Sequence, residues 1–223
     1  MSNIIEKSKV KELLIQKDLE ALKGWIKTVR NPQRVLFSLA YDTDELVRWR
    51  AIEAIGQVTV LWSKHGYKKI KNLIRQQLWL MNDESGGLGW HSPEIIGEIL
   101  VNVPALIEEY GPMLLSYLDE EPFERGSHLA IYRVAKIDPK PFVDKVDPLI
   151  VSLRRSDNYI RAFMIMALGE IAPTQLKENL KKLDSDSEQI TIYNFETGLM
   201  EITDIDQIRK QVFADKNISN SAV

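Results

Sequence analysis

Apolar residues recur at intervals of three and four along most of the chain, the spacing that lines one face of an α-helix. Between residues 4 and 28 they include Ile4, Ile5, Val10, Leu13, Leu14, Leu19, Leu22, Trp25 and Ile26, which predicts one long helix or two short ones. Asn31-Pro32 reads as an N-cap followed by proline in the first turn, opening a helix that carries Val35, Leu36, Leu39 and Ala40. Asp42-Thr43-Asp44 interrupts the pattern and caps the next helix, with Leu46, Val47, Ala51, Ile52, Ala54 and Ile55. The β-branched run at 57–62 continues that register, and ITIY at 190–193 is read the same way, as helix. Strands do not alternate with helices, which argues against a doubly wound parallel sheet.

Four segments end an apolar helix alike, with a small residue, a polar one and an apolar one: Gly56-Gln57-Val58, Gly97-Glu98-Ile99, Ala135-Lys136-Ile137 and Gly169-Glu170-Ile171. They lie 41, 38 and 34 residues apart, a period that marks stacked helical pairs. Small residues there let two helices approach closely. The best-matched pair is VRWRAIEAIG at 47–56 and IRAFMIMALG at 160–169, each after a polar turn containing Asp. These segments resemble the HEAT-repeat family, whose second helices often read V-R-x-x-A-x-x-A-L-G. Over roughly residues 31–172, the resemblance implies an all-α protein, an α–α superhelix (HEAT/ARM-like solenoid) of about five to six helix pairs, with second helices lining a concave face. A lone pair cannot bury its apolar face, whereas stacked pairs share a continuous core. Units are expected near 4–28, 31–64, 66–103, 104–138, 139–172 and 173–214, in a single domain over 1–216 followed by a polar tail at 217–223. Arg48 and Arg161 share a repeat position; the resemblance implies that such an arginine pairs with an aspartate of a neighbouring repeat.

Charge refines this picture. The 223 residues carry 29 Lys plus Arg against 32 Asp plus Glu, a net charge of −3, so no basic field for nucleic acid covers the chain. Cysteine is absent, which excludes disulfides, thiolate nucleophiles and cysteine-ligated metals. No apolar run approaches the ~18 residues of a membrane helix, and MSNIIEKSKV lacks the apolar core of a signal peptide. A cytoplasmic protein without membrane association is expected. The charges are segregated, however. Residues 54–82 hold no Asp or Glu but include Lys64, Lys68, Lys69, Lys71 and Arg75, whereas 76–124 hold ten acids and no Lys or Arg. The acids suit a cationic partner, a basic helix or a metal ion, although charge blocks are equally often plain solvated surface. The cations at 64, 68, 71 and 75 share a helical face, a thin basis for nucleic-acid binding in an acidic chain.

The most distinctive stretch is 78–94. A helix is expected to end near Asn82, and Asp83-Glu84-Ser85-Gly86-Gly87-Leu88-Gly89 then supplies three glycines in four positions. The loop is long for a turn inside a repeat, and inserted loops on a rigid scaffold often carry function. Ser92-Pro93-Glu94 reads as N-cap, first-turn proline and an acid at the positive helix end. The segment resembles one in small prokaryotic HEAT-repeat proteins of unassigned activity. Gly89 is followed by Trp90-His91 rather than by Lys and Ser or Thr, so it is no P-loop. Neither G-x-G-x-x-G nor the G-x-S-x-G nucleophile elbow is present. His91, Glu94 and Glu98 fall three and four apart, which would put an imidazole and two carboxylates on one face for Zn, Fe or Mn; ordinary exposed helices show the same spacing. The resemblance also offers enzymes. Deoxyhypusine hydroxylases of this repeat type bind iron through His-Glu pairs, but the equivalent pairs here are Trp49-Arg50, Trp90-His91, His128-Leu129 and Ala162-Phe163, so that activity is not expected. HEAT-like DNA glycosylases would need a basic face, which the acidic block opposes.

Trp49 and Trp90 both stand seven residues before the small residue and are read as lining one face, while Trp25, Trp62 and Trp79 fall in apolar patterns and are read as core. The expected function is a protein- or peptide-binding scaffold with no catalytic residues, no cofactor and no bound metal. Its contacts would be Asp83, Glu84, Ser85, Gly86, Gly87, Trp90, His91, Glu94, Glu98 and Trp49, with the acids meeting a basic partner. The alternatives are a metal-dependent or other enzyme at the same loop and a nucleic-acid-binding protein.

Overall fold

The computed structural model describes residues 2–83 and 89–215, with side chains from 5–83 and 89–214. Helices dominate: α1 (Ser2–Gln16), α2 (Leu19–Thr28), α3 (Pro32–Leu39), α4 (Glu45–Ser63), α5 (Lys68–Met81), α6 (Ser92–Asn102), α7 (Ile107–Tyr110), α8 (Glu124–Ala135), α9 (Val146–Ser152), α10 (Asn158–Ile171), α11 (Pro173–Leu180) and α12 (Ile205–Asp215). Short 310 turns at Pro104–Leu106, Gly111–Tyr117 and Lys140–Lys145 fill the connections. The chain divides into two compact units, Met1–Val103 with Tyr193–Leu199, and Pro104–Ile192 with Met200–Val223.

Local chemistry sets the helix boundaries. Asp18 accepts from the Ala21 amide at 3.0 Å, Asp44 from the Val47 amide at 3.2 Å, and Asp157 from the Tyr159 and Ile160 amides, each satisfying otherwise orphaned N–H groups of a first turn. In the first unit α4 is wrapped by α3, α5 and α6 and carries a fully buried row of Val47, Ala51, Ile52, Ile55 and Val58. Gly56 permits this closeness. A Cβ there would lie 3.0 Å from the Glu98 carbonyl oxygen and against the Asn102 side chain. In the second unit α8, α10 and α12 bury Leu129, Phe163, Leu168 and Ile208, and a Cβ on Gly169 would come within 2.6 Å of Val212 Cγ1. Two of the repeated small residues are therefore points of close helix approach.

The ITIY segment departs from its helical reading. Ile190–Asn194 is strand β1, paired with β2 (Leu199–Thr203) as a two-stranded sheet. Tyr193 is buried, Ile190 and Ile192 are half-buried and Thr191 is exposed, and the β-branched and aromatic composition suits a strand. The turn explains why helix loses. Asn194 Oδ1 accepts from the Glu196 and Thr197 amides, and Gly198, at φ +67°, donates its amide to the Asn194 carbonyl at 2.7 Å. An Asn followed four residues on by glycine closes a hairpin.

The expected pairing of aspartates with cations from adjoining helices is present in a broader form. Lys11 pairs with Asp42 at 2.8 Å, Arg125 with Asp157 at 2.6 Å, and Arg161 with Asp186. Arg48 differs: it pairs within its own helix, with Glu45 at 2.8 Å.

Candidate functional site

The site with the most unusual surface chemistry is the corner of the first unit where α5 ends and α6 begins. Helix α5 buries Ile70, Leu73, Ile74, Gln77 and Met81 on one face and exposes Lys68, Arg75 and Trp79 on the other. Asn82 closes it, with its Nδ2 donating to the Leu78 carbonyl at 2.7 Å. The chain reappears at Gly89, where a Cβ would lie only 2.8 Å from the Leu80 carbonyl oxygen. Glycine is thus required there by close approach, and the backbones carrying Trp79 and Trp90 meet. Both indoles face outward, Trp79 63% and Trp90 58% exposed.

Beneath this surface the corner is tightly bonded. His91 occupies the N-cap position of α6 and Ser92 is its first helical residue, so the helix opens one place earlier than the expected Ser92 cap. The buried Ser92 hydroxyl is instead committed inward, donating to Gln77 Oε1 at 2.9 Å and fastening α6 to α5. His91 Nδ1 lies 3.2 Å from Glu94 Oε1, and its ring packs on Tyr41 with centroids 5.4 Å apart. Burial pushes the Tyr41 hydroxyl pKa up to about 12; hydrogen bonding with the His91 backbone and the Ser92 side chain opposes the rise, and the nearby Glu94 charge adds to it. Tyr41 therefore stays protonated at neutral pH, a donor and not a base.

Of the expected contact residues, Asp83, Trp90, His91, Glu94 and Glu98 do belong to this corner, but they divide between surface and interior. Asp83 is half-buried and Trp90 exposed. Glu94 is 8% exposed and Glu98 3%: the packing of α6 against α4 and α5 takes them inside, so they are not acids offered to a basic partner. Glu94 keeps one carboxylate oxygen, Oε2, buried without a hydrogen-bond partner among the described residues. Trp49 is also interior, at 5% exposure, because the hairpin covers it. Tyr193 stacks on its ring at 5.7 Å and 11°, and Phe195 meets its edge at 6.0 Å. Glu84, Ser85, Gly86 and Gly87 lie outside the described residues, as does the tail at 217–223. Trp79, read as core, is the residue the sequence analysis missed. Its signal was in the wheel: Lys68, Arg75 and Trp79 fall within about 40° of one another at 100° per residue, opposite the apolar positions.

Several chemistries can be judged on this geometry. Among the described residues no group of three His, Asp or Glu side chains could hold a metal ion. A Ser–His pair exists in the second unit. His128 Nδ1 lies 2.7 Å from the Glu124 carbonyl, which can only accept, so Nδ1 carries the proton and Nε2 accepts from the Ser152 hydroxyl at 2.8 Å. Both side chains are buried, so no substrate reaches them; burial also pulls the His128 imidazole down, keeping it neutral. A groove of about 480 Å³ in the same unit is lined by Arg125, Asp157, Tyr159, Glu188 and Thr191 among others. Its charges are already matched, Arg125 donating to Asp157 and Asn158 to Glu188 at 3.1 Å. No helix among the described residues is long and apolar enough to cross a membrane.

No protein-family model matches the chain. An uncharacterised protein of Archaeoglobus fulgidus is 30% identical over 136 residues, covering 60% of this chain and 70% of its own. A designed armadillo repeat protein superposes with a TM-score of 0.55 at 18% identity, over 95% of this chain and 92% of that one. A second, computationally designed for modular peptide recognition, gives a TM-score of 0.49 at 18% identity, over 91% and 92%. The first of these likenesses shows the fold, an armadillo-like α-solenoid, and nothing of the activity.

Proposed function

We propose, for a chain that belongs to the same family as the uncharacterised Archaeoglobus fulgidus protein, that it is a repeat scaffold docking a protein or peptide segment at the α5–α6 corner. The observation that carries this reading is the pair of outward-facing indoles, Trp79 and Trp90, on backbones held together at the Leu80–Gly89 contact. Large aromatics are usually driven inside, and two left exposed on neighbouring backbone segments offer apolar area that a partner would cover. Tryptophan is also the residue type most enriched among binding hot spots. The corner beneath is rigid enough to present them: Ser92–Gln77, His91–Glu94 and the Tyr41 packing all lock the start of α6. In this reading Trp79 and Trp90 make the contact, with Asp83 and His91 at its border, while Glu94, Glu98 and Trp49 support it from within.

The test is a peptide-display selection against the purified protein, followed by titration of the selected peptides. A Trp79→Ala/Trp90→Ala variant, shown by circular dichroism to keep its helicity, should bind at least tenfold more weakly, a loss of about 1.4 kcal/mol or more. Indole emission of the wild type should shift to the blue as the rings are covered. Equal affinity for both proteins overturns the reading.

A further inference from the structure

Resting on that docking site, we infer that its partner is an acidic segment, with carboxylates along the Lys68–Arg75 stripe of α5 and an apolar side chain at the Trp79–Trp90 end. This is the opposite polarity from the basic partner that the acid-rich sequence around the loop suggests, and it follows from where the charges sit. Two of those acids, Glu94 and Glu98, are buried. The cations preceding them are not. Lys64, Lys68 and Arg75 are exposed, and residues 54–82 contain no Asp or Glu that could neutralise them in sequence.

Nor does an acid among the described residues pair with them in space. Several cations elsewhere are held in ion pairs: Lys11 with Asp42, Lys23 with Glu20, Arg48 with Glu45, Arg125 with Asp157, Arg161 with Asp186 and Arg209 with Asp206. No such pair involves Lys64, Lys68 or Arg75 among the described residues. In a chain with more acids than bases, an unmatched cationic stripe is a field available to an anion. Lys69 stands apart from the stripe, with its ammonium over the Trp62 ring at 3.5 Å from the centroid.

Geometry gives the segment's length and polarity. Eleven residues of helix separate Lys68 from Trp79, about 16 Å at ~1.5 Å per residue, which an extended chain spans in about five residues at ~3.3 Å each. Carboxylates belong along Lys68–Arg75, because no Lys or Arg follows Arg75 within α5. A long polyanion fits less well than a short acidic segment. The cations stop at Arg75, and no Lys or Arg follows before Arg125, so the stripe offers a long nucleic-acid strand only a short run of cations.

The measurement is fluorescence anisotropy of a labelled heptapeptide of four glutamates, one glycine and two phenylalanines, against the same peptide with glutamines. Probes of the other anionic classes are a labelled twenty-nucleotide oligothymidylate and phosphatidylserine-containing vesicles. At 50 mM salt the glutamate peptide should bind at least tenfold tighter than the glutamine one. That preference should vanish in a folded Lys68→Glu/Arg75→Glu variant and shrink at 300 mM salt. Equal binding of both peptides, or no binding of the glutamate peptide, overturns the acidic-segment inference. The docking reading then stands or falls separately, on whether Trp79→Ala/Trp90→Ala weakens display-selected peptides. Tighter binding of the oligonucleotide or the vesicles, lost in the charge-reversed variant, also overturns the inference and assigns the stripe to that polyanion.

Discussion

Arg50 illustrates how much one side chain can organise. Its guanidinium is buried, with Nη1 donating to the carbonyls of Leu14 and Ile15 at 2.8 and 2.9 Å and Nε and Nη2 to that of Gly198 at 3.2 and 2.9 Å. The first two are end-of-helix carbonyls of α1, which have no intrahelical partner. Arg50→Met keeps most of the apolar stem but takes the guanidinium from three acceptors, of which only the Leu14 carbonyl keeps a backbone partner, the Lys17 amide at 3.2 Å, so urea denaturation should report a loss of about 2 kcal/mol or more. His128 makes a pH-dependent contribution. Its folded pKa lies below the ordinary 6.5, chiefly through burial, with the Glu124 carbonyl bond and the Asp157 charge opposing the shift. Above about pH 6.5 both folded and unfolded chains hold it neutral, and stability is full. As pH falls below that value the unfolded chain gains the proton first, so stability declines toward the folded pKa. Melting temperatures between pH 7.5 and 5 should fall less steeply in His128→Gln than in the wild type; parallel profiles would remove His128 as the cause.

At the scale of the element, glycine placement separates packing from permissiveness. Gly56 sits where α4 meets α6, and Gly56→Ala should destabilise by about 1–3 kcal/mol through overpacking against Asn102 and the Glu98 carbonyl. Gly24 in α2 has nothing within 4 Å of a Cβ, so Gly24→Ala should stabilise by about 0.5–1 kcal/mol. Thermal melts of the two variants should move in opposite directions. Most elements were legible in the sequence for the same reason: the Asp44 and Asp157 caps, Pro32 and the three-four apolar spacing are short-range signals. The β1–β2 hairpin was not, because Ile190–Tyr193 is apolar in a way that fits either period, and only the Asn194–Gly198 turn decides between them. The candidate site was half legible. Trp90 and the loop stood out by composition, whereas the inward turn of Glu94, Glu98 and Trp49 depends on neighbours distant in sequence, which periodicity along one helix does not encode.

For the whole molecule, the repeat of small residues every 34–41 positions was enough to predict an α-solenoid, and the armadillo-like likeness agrees with it. What a nearest-neighbour stack does not anticipate is that residues 193–199 belong with the first unit. There Tyr193 and Phe195 cover Trp49, the Tyr193 hydroxyl donates to Glu53, and Lys17 donates to the Thr197 carbonyl. Replacing Tyr193 and Phe195 together by Ala should cost about 3–5 kcal/mol or more and increase hydrogen exchange in α4; an unchanged exchange pattern would show that the rings are not needed there. The return of the hairpin also imposes an order on biosynthesis. Solenoids built only from adjoining repeats can fold as they emerge, but Gly198 follows Val103 by about 95 residues. At ~5–20 residues per second, the ribosome delivers it roughly 5–20 s after Val103. During that interval Trp49 and Arg50 have no lid, and the nascent first unit is a client for whatever shields exposed apolar surface in the cell.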